Sequence, residues 1–285
     1  MSRRFKKKLK LRKNVAIFIN FFLLFLFVLF IKQSRFLNEF INKKSNNYVK
    51  KYYIKNLPTL SLNHNKNNDD MFLVKEEKNT PPIIYIYNTH QTEKYLSNND
   101  SFKPTVMYAS KYLNEQFNKN DLPSIFENRN VNELLVENNW SYGSSYKVSR
   151  KYMEEAYKEN NTIKYFFDIH RDAGSHTYTT LCIENKCYAK ILFLIGLENP
   201  NYLENQLYAE ELHKRLNEKV NGISKGILQK QGKKVNGIYN QDFSPRAILI
   251  ELGGENNSVD EVYNTLNVLS EVLINYIKEE LNYGT

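Results

Sequence analysis

Between residues 81 and 285, short apolar runs alternate with longer segments in which apolar residues recur every three or four positions. The short runs have the length and composition of buried β-strands, and the longer segments have the period of amphipathic helices. The predicted strands are 83–87, 124–127, 163–169, 187–196 and 246–251, and the predicted helices are 105–119, 145–158, 199–220 and 258–281. This alternation predicts an α/β domain with a largely parallel sheet.

Two of the predicted helices carry specific local signals. In 145–158, Val148, Tyr152 and Ala156 lie four residues apart and form one apolar stripe. At the start of 258–281, Ser258 is a favourable N-cap, and Glu261 lies three residues later, as in a capping box.

A different apolar pattern occurs near the start of the chain, from Val15 to Ile31. Asn20 is its one polar residue, and the run is long enough to cross most of a hydrocarbon core of about 30 Å. No small-residue cleavage signal follows, so we predict an uncleaved transmembrane anchor, with a cleaved signal peptide as the alternative. Both interpretations place the rest of the chain outside the cytoplasm.

The net charge of +9 is concentrated before this segment, where eight of the first thirteen residues are Lys or Arg. Without them the chain has 32 basic and 31 acidic residues, which excludes the basic folded face of a nucleic-acid-binding protein. Cations before an apolar span are retained in the cytoplasm. We therefore predict a cytoplasmic tail (1–14), an anchor (15–31), a stalk (32–80) in which His64 is a bystander, and an extracytoplasmic domain (81–285).

The two cysteines, Cys182 and Cys187, flank a short polar stretch in which Asn185 favours a tight turn between strands. A disulfide is plausible outside the cytoplasm, and two unpaired thiols are the alternative. Zinc binding by this pair is less favoured, because no second Cys/His pair lies nearby.

Chemically competent side chains follow three of the predicted strands. His90 and Glu93 come directly after 83–87, His170 follows 163–169, and Glu251 ends 246–251. Open α/β sheets bind ligands beyond the carboxyl ends of their strands. Two histidines and a carboxylate there suit a catalytic zinc with one position open to water, and a further glutamate suits its general base.

Several of these residues have a second interpretation. His90 could be a bystander, and Asp168 could either orient an imidazole or be a buried structural carboxylate. Glu251 could accept hydrogen bonds from the backbone of Gly253-Gly254 instead of acting as a base. For the other polar residues we expect a pair between Arg171 and Asp172 in a solvated loop, His176 in a loop that could edge the cleft, and His213 on the surface of a helix.

Six segments together resemble the stage II sporulation protein P family of endospore-forming Firmicutes, across essentially all of 83–285. They are Asn88-Thr89-His90-Gln91-Thr92-Glu93 within 84–95, Phe167-Asp168-Ile169-His170-Arg171-Asp172, the segments 189–202, 222–227 and 239–242, and Ala247-Ile248-Leu249-Ile250-Glu251-Leu252-Gly253-Gly254 within 244–254. The chain departs from the family pattern at two places. Asn88 stands where the family has a histidine. After Gly254, the segment Glu255-Asn256-Asn257 is one residue shorter than the family spacing, so Asn256 is assigned no role. The roles of Asp168 and Arg246 stay open.

The resemblance implies an amidase-type three-layer α/β sandwich, with a central mostly parallel sheet and helices on both faces. It implies zinc ligands at His90, Glu93 and His170, and Glu251 as the catalytic glutamate. Such proteins are expected to cleave the N-acetylmuramoyl-L-alanine amide of peptidoglycan, and also peptide cross-links, while the septal wall is thinned during engulfment. The expected partners are sporulation proteins D and M. The rival functions are a zinc endopeptidase or carboxypeptidase acting on stem peptides, and a non-catalytic wall-binding scaffold.

Overall fold

A computed structural model describes residues 80–97 and 104–283. The predicted tail and anchor, His64 and the stalk up to residue 79 lie outside the described residues. In the described part of the chain, none of the helices combines the length and the apolarity that crossing a membrane requires.

The centre of the fold is a six-stranded sheet with the order β2-β1-β3-β8-β6-β7, and β4 and β5 form a separate hairpin. The strands are β1 (Ile84–Tyr87), β2 (Ser124–Phe126), β3 (Tyr165–Asp172), β4 (Thr180–Ile183), β5 (Lys186–Ala189), β6 (Ile191–Gly196), β7 (Ser224–Lys230) and β8 (Arg246–Gly254). All neighbours in the sheet are parallel except β6 and β8, which run in opposite directions. The predicted, largely parallel sheet is confirmed.

The helices are α1 (Val106–Lys119), α2 (Val131–Glu137), α3 (Ser145–Glu159), α4 (His176–Thr179), α5 (Tyr202–Lys219) and α6 (Val259–Tyr283). The four predicted helices correspond to α1, α3, α5 and α6. The capping box before α6 is present: the Ser258 N–H donates to Glu261 at 2.7 Å, and the Glu261 N–H donates to the Ser258 hydroxyl at 3.2 Å. The stripe of Val148, Tyr152 and Ala156 is buried as expected.

Three predictions about the elements were incomplete or wrong. Helix α2 was missed because it has only seven residues and two buried positions, too few to show a period. Strand β7 was missed because it is an edge strand with a polar sequence, interrupted by Gly226 at φ +100°. The predicted strand 187–196 is two strands, β5 and β6, because the chain leaves the hairpin at Lys190 and enters the sheet there.

Helices cover both faces of the sheet. On one face, Met153 and Ala156 of α3 pack against Tyr85 and Phe166. On the other, Phe117 of α1 stacks on Phe167 with ring centroids 5.9 Å apart. Adjacent residues of a strand point to opposite faces, so α3 and α1 lie on opposite sides of β3. Helices α5 and α6 pack together through Tyr208 and Tyr276, 5.0 Å apart.

Cys182 and Cys187 are paired across the β4–β5 hairpin and form a disulfide. Of the two alternatives that the sequence left open, the structure shows the bridge. It closes a very short loop, with a sequence separation of five residues.

Replacing both cysteines with serine should lower the free energy of unfolding by about 2 kcal/mol, the loop-closure entropy of so small a ring. Chemical denaturation of the oxidised domain measures this loss, and the wild-type domain with a reducing agent is the matched control. Neither cysteine belongs to the site described below, so the double variant should retain any metal that the wild-type domain binds there. Loss of such a metal in the double variant would contradict this assignment.

Candidate active site

His90 and Glu93 lie in a turn that directly follows β1. The Glu93 N–H donates to the His90 carbonyl at 3.1 Å, which draws the two residues together. Between them, the Gln91 side chain accepts a hydrogen bond from the Val131 N–H at 2.9 Å and donates to the Arg129 carbonyl at 2.7 Å. The turn is therefore anchored to the start of α2 and not free to move as an isolated loop.

Strands β3 and β8 deliver His170 and Glu251 to the same edge. The two residues are paired in the parallel register of these strands. Phe166 and Ala247 are paired further back in the same register, and both pack against α3. Because side chains alternate along a strand, Asp168, His170 and Glu251 share the face that α3 covers.

The three predicted metal ligands are neighbours. Nδ1 of His170 is 3.5 Å from Oε2 of Glu93. The rings of His90 and His170 meet edge to face, with centroids 5.2 Å apart. His90 therefore belongs to the cluster and does not lie apart from it, and the imidazole of His170 is almost fully enclosed, with 3% of its surface exposed.

Asp168 contacts both the turn after β1 and the imidazole of His170. Its carboxylate accepts the Thr89 N–H at 2.9 Å and the Thr89 hydroxyl at 2.6 Å, so it ties β3 to the turn after β1. Its Oδ1 is also 3.0 Å from Nε2 of His170. The approach is out of line, so that Nε2 makes no hydrogen bond in this arrangement.

Buried polar atoms without a hydrogen-bond partner concentrate at this edge of the sheet. Five of the eight such atoms in the described residues lie here, on Asn88, His90, His170, Arg171 and Glu251. Most buried polar atoms in folded proteins are paired, since leaving one unpaired costs its desolvation energy. A group of unpaired donors and acceptors at one place indicates a site that is completed by a ligand.

The protonation equilibria reflect this burial. Burial raises the pKa of Glu251 to about 7; His170 opposes the rise, and Glu93, Asp172 and Asp168 add to it. Burial lowers the pKa of His90, and His170 lowers it further. For His170, burial acts to lower the pKa, but the carboxylates of Asp168 and Glu93 outweigh it and raise the pKa above its ordinary value.

The residue types suit zinc. Two ligand atoms on a tetrahedral zinc, each about 2.0–2.2 Å from the ion, are separated by about 3.3 Å. The 3.5 Å between His170 Nδ1 and Glu93 Oε2 matches that spacing. However, no three His, Cys, Asp or Glu side chains among the described residues lie close enough together to hold a metal ion. The donor atoms of His90, Glu93 and His170 therefore do not point to one common position in this arrangement. His170 contacts Asp168 instead, and Glu93 Oε2 accepts the Arg171 N–H at 3.0 Å.

Three tyrosines that the sequence did not single out form an aromatic wall on the α3 side of the site. Tyr142 stacks on His90 at 4.8 Å, Tyr146 meets the same ring edge to face at 5.6 Å, and Tyr239 packs against Tyr146 at 5.5 Å. Tyr239 and Asn240 both have positive φ, 54° and 56°, a strain that often marks functional sites. With 21 tyrosines in the chain, composition could not identify these three.

Two predictions about nearby residues were wrong. Asp172 does not pair with Arg171; its partner is Lys225, with Nζ 2.6 Å from Oδ2. The predicted loop is the end of β3, where neighbouring side chains diverge. His213 is half-buried, and its Nδ1 lies 2.8 Å from the Ser224 hydroxyl, because α5 packs on β7 along that face. His176 lies on α4, outside the cluster, with Nε2 3.0 Å from Glu261.

The structure also decides two open alternatives. The Gly253 N–H donates to the Lys190 carbonyl and the Gly254 N–H to Asn257, so Glu251 does not cap these glycines. Arg246 lies at the amino end of β8, away from the site, where it pairs with Glu280. An open groove of 930 Å³ lies at that opposite edge. Both of its arginines, Arg150 and Arg246, pair with carboxylates that also line it, and it contains none of the candidate residues.

The raised pKa of Glu251 predicts how stability depends on pH. Below 4.5, the ordinary pKa of a glutamate side chain, the carboxyl group is protonated in both the folded and the unfolded state. Between 4.5 and about 7 the unfolded chain ionises while the folded state holds its proton, so folded stability falls, and the loss remains above 7. In chelator-treated protein, Glu251→Gln should therefore be neutral at pH 4 and stabilising by roughly 3 kcal/mol at pH 8. Denaturant titrations at both pH values test this; equal effects at both would contradict it.

Two solved structures are distantly similar to the described domain. The CwlD amidase from Clostridioides difficile, in complex with the GerS lipoprotein, is 14% identical with a TM-score of 0.45, over 70% of this chain and 99% of that one. The N-acetylmuramyl-L-alanine amidase Ami1 from Mycobacterium smegmatis is 11% identical with a TM-score of 0.41, over 71% of this chain and 97% of that one. These similarities are too weak to carry an argument about this chain.

Sequence comparison is more decisive. Stage II sporulation protein P of Bacillus subtilis (strain 168) is 30% identical over 207 residues, which are 70% of this chain and 52% of the relative. The chain thus spans about half the length of that relative. The model of the stage II sporulation protein P (SpoIIP) family matches residues 31–274. The chain therefore belongs to the stage II sporulation protein P family.

Proposed function

We propose that this protein is a membrane-anchored zinc hydrolase of peptidoglycan that cleaves the N-acetylmuramoyl-L-alanine amide bond during sporulation. The observation that supports it best is the meeting of His90, Glu93, His170 and Glu251 at one sheet edge, where three of the four have a buried polar atom without a partner. An edge built only for stability would leave few such atoms unpaired.

His90, Glu93 and His170 are the residues that would hold the metal. Bound there, zinc would lower the pKa of a coordinated water and polarise the scissile carbonyl. The carboxylate of Asp168 lies 3.0 Å from Nε2 of His170, and its two hydrogen bonds with Thr89 keep β1 and β3 aligned. Such support beyond the ligands holds a catalytic geometry in place.

Glu251 is the proposed general base. It accepts a proton from the attacking water and returns it to the leaving amine, which must be protonated to depart. A pKa raised by burial to about 7 suits both steps, because the carboxyl group can take up and release a proton near neutral pH. The aromatic wall packs against both imidazoles on the α3 side of the site.

The proposed cellular setting is supported by the family and by the segments outside the described residues. The apolar run at 15–31 would anchor the protein in the membrane, and the domain would face the wall outside the cytoplasm. Peptidoglycan is the proposed substrate, and sporulation proteins D and M are the proposed partners in engulfment. No nucleic-acid partner is proposed, because the basic excess is confined to the tail.

The proposal is tested by digestion of purified sacculi, with the products identified by mass spectrometry. Wild type should release intact stem peptides with a free L-alanine amine. Release of peptides cut internally would instead favour a zinc endopeptidase or carboxypeptidase, and the absence of soluble products would favour a wall-binding scaffold.

Two variants separate the metal ligands from the base. His170→Ala should lose both zinc and activity, whereas His213→Ala, a half-buried histidine outside the cluster, should keep both. Glu251→Gln should keep zinc and lose roughly 10²–10⁴-fold in turnover, the usual contribution of a general base. Zinc stoichiometry and initial rates check these outcomes. An active wild-type protein that contains no metal would refute the zinc assignment, and near-normal turnover of Glu251→Gln would refute the base.

The orientation in the membrane is tested separately. Protease added to intact protoplasts should remove the domain beyond residue 31, while an epitope fused before residue 14 should survive. Cations before the anchor determine this orientation. Replacing the eight basic residues with glutamine should therefore give a mixture of proteins in both orientations. Full protection of the domain in wild type would show that the predicted orientation is wrong.

A further inference from the structure

Arg171 is the least well paired arginine of the described residues. Arg129, Arg150, Arg215 and Arg246 each contact a carboxylate at 2.8 Å or less. Arg171 has only Glu255, at 3.7 Å from Nη2, and the Asp172 carbonyl, at 3.4 Å from Nη1. Its Nε is buried and has no hydrogen bond. A guanidinium has five donors in a fork that fits a carboxylate, so most of this one's capacity is unused.

The position of Arg171 connects this capacity to the candidate active site. The residue follows His170, and its backbone N–H donates to Oε2 of Glu93 at 3.0 Å. Burial raises the pKa of Tyr142, and the positive charges of His170 and Arg171 both oppose that rise. The guanidinium and the imidazole therefore both lie near the Tyr142 side chain. The side chain is 18% exposed, which leaves it accessible from the rim of the site.

The charges around the site make Arg171 the cation available to a ligand. Glu93, Asp168, Asp172 and Glu251 all act on this edge. Lys225, the other nearby cation, is 2.6 Å from Asp172 and is neutralised by it. An anionic group of a substrate would be repelled by the carboxylates unless it met the guanidinium of Arg171.

We propose that Arg171 determines specificity by binding the free α-carboxylate of the second residue of the stem peptide, the glutamyl residue that is linked onward through its γ-carboxyl group. This inference rests on the proposed amidase function, because it places the scissile nitrogen at the metal. That carboxylate is then about 7 Å from the scissile nitrogen along an extended peptide, within the reach of an arginine side chain whose backbone touches Glu93.

Glu255 occupies the position that such a carboxylate would take. Its side chain is 68% exposed and its contact with Arg171 is long, so a ligand can displace it at little cost. Carboxylates of later stem residues lie at least one residue further along the chain, about 3.5 Å per residue, and fit the distance less well.

The test compares two substrates of the zinc-loaded protein in detergent. One is N-acetylmuramoyl-L-alanyl-D-glutamic acid γ-methylamide, in which only the α-carboxylate is free, and the other is the same compound with that carboxylate converted to an amide. Wild type should prefer the free acid by roughly 10- to 100-fold in kcat/KM, the usual worth of a charge-assisted bidentate contact, and mainly through KM. Arg171→Gln should bring the ratio of the two kcat/KM values close to one. Arg171→Lys, which keeps the charge but not the fork, should retain part of the ratio.

Glu255→Gln is the matched control with the opposite sign, because it removes the competing carboxylate. It should lower KM for the free acid and increase the ratio. The inference is overturned if wild type shows no preference, or if Arg171→Gln lowers the melting temperature while the ratio persists, which would make Arg171 a structural residue. It is also overturned if kcat/KM depends on Arg171 only for a tripeptide in which the α-carboxyl group of the second residue is amidated. Arg171 would then bind the carboxylate of a later residue.

The proposed function can fail independently of this inference. If wild type cleaves neither substrate, calorimetric binding of the two peptides to Glu251→Gln replaces the rate measurement. Preference for the free acid, lost in the double variant with Arg171→Gln, would then support the carboxylate site although the amidase assignment had failed. Equal binding of both peptides would overturn the carboxylate site as well.

Discussion

The candidate site depends on the parallel register of β3 with β8. That register pairs His170 with Glu251 and places both on the face covered by α3. A slip of one residue would turn either side chain to the other face of the sheet, since side chains alternate with a period of two. On the other side of β3, the Asp168 carboxylate accepts hydrogen bonds from the Thr89 backbone and hydroxyl and so fixes the turn that carries His90 and Glu93.

This edge of the sheet lowers the stability of the fold. Asp168 and His170 are almost fully buried, and the buried Oε2 of Glu251 has no hydrogen bond. Burying such groups without complete pairing is costly, and the raised pKa of Glu251 expresses that cost. The surroundings compensate through packing: the aromatic wall stacks on both imidazoles, and the Asn240 amide holds the start of α3 through the Tyr146 carbonyl and the Ser149 hydroxyl.

The two ends of the same strands have different roles. Strand β6 runs antiparallel to β8, and β7 is parallel to β6, so the amino end of β7 lies at the site edge. There, Lys225 neutralises Asp172. Arg171 is thereby left as the cation with spare donors. At the amino ends of β3 and β8, Arg246 and the Tyr165 hydroxyl both contact Glu280 of α6, a closed network that stabilises the layers.

The sequence by itself determined the longer helices, most strands of the largely parallel sheet and the residues that meet at its carboxyl edge. These follow from local information: strand runs end in polar residues, and parallel strands bring their ends together. Only the tertiary structure decided that Asp168 both clamps β1 and contacts His170, that Tyr142, Tyr146 and Tyr239 wall the site, and that Arg171 lacks a close carboxylate partner. Each of these depends on a contact between residues distant in the chain. The sequence pattern did not predict β7 and α2, because packing against the rest of the fold stabilises them.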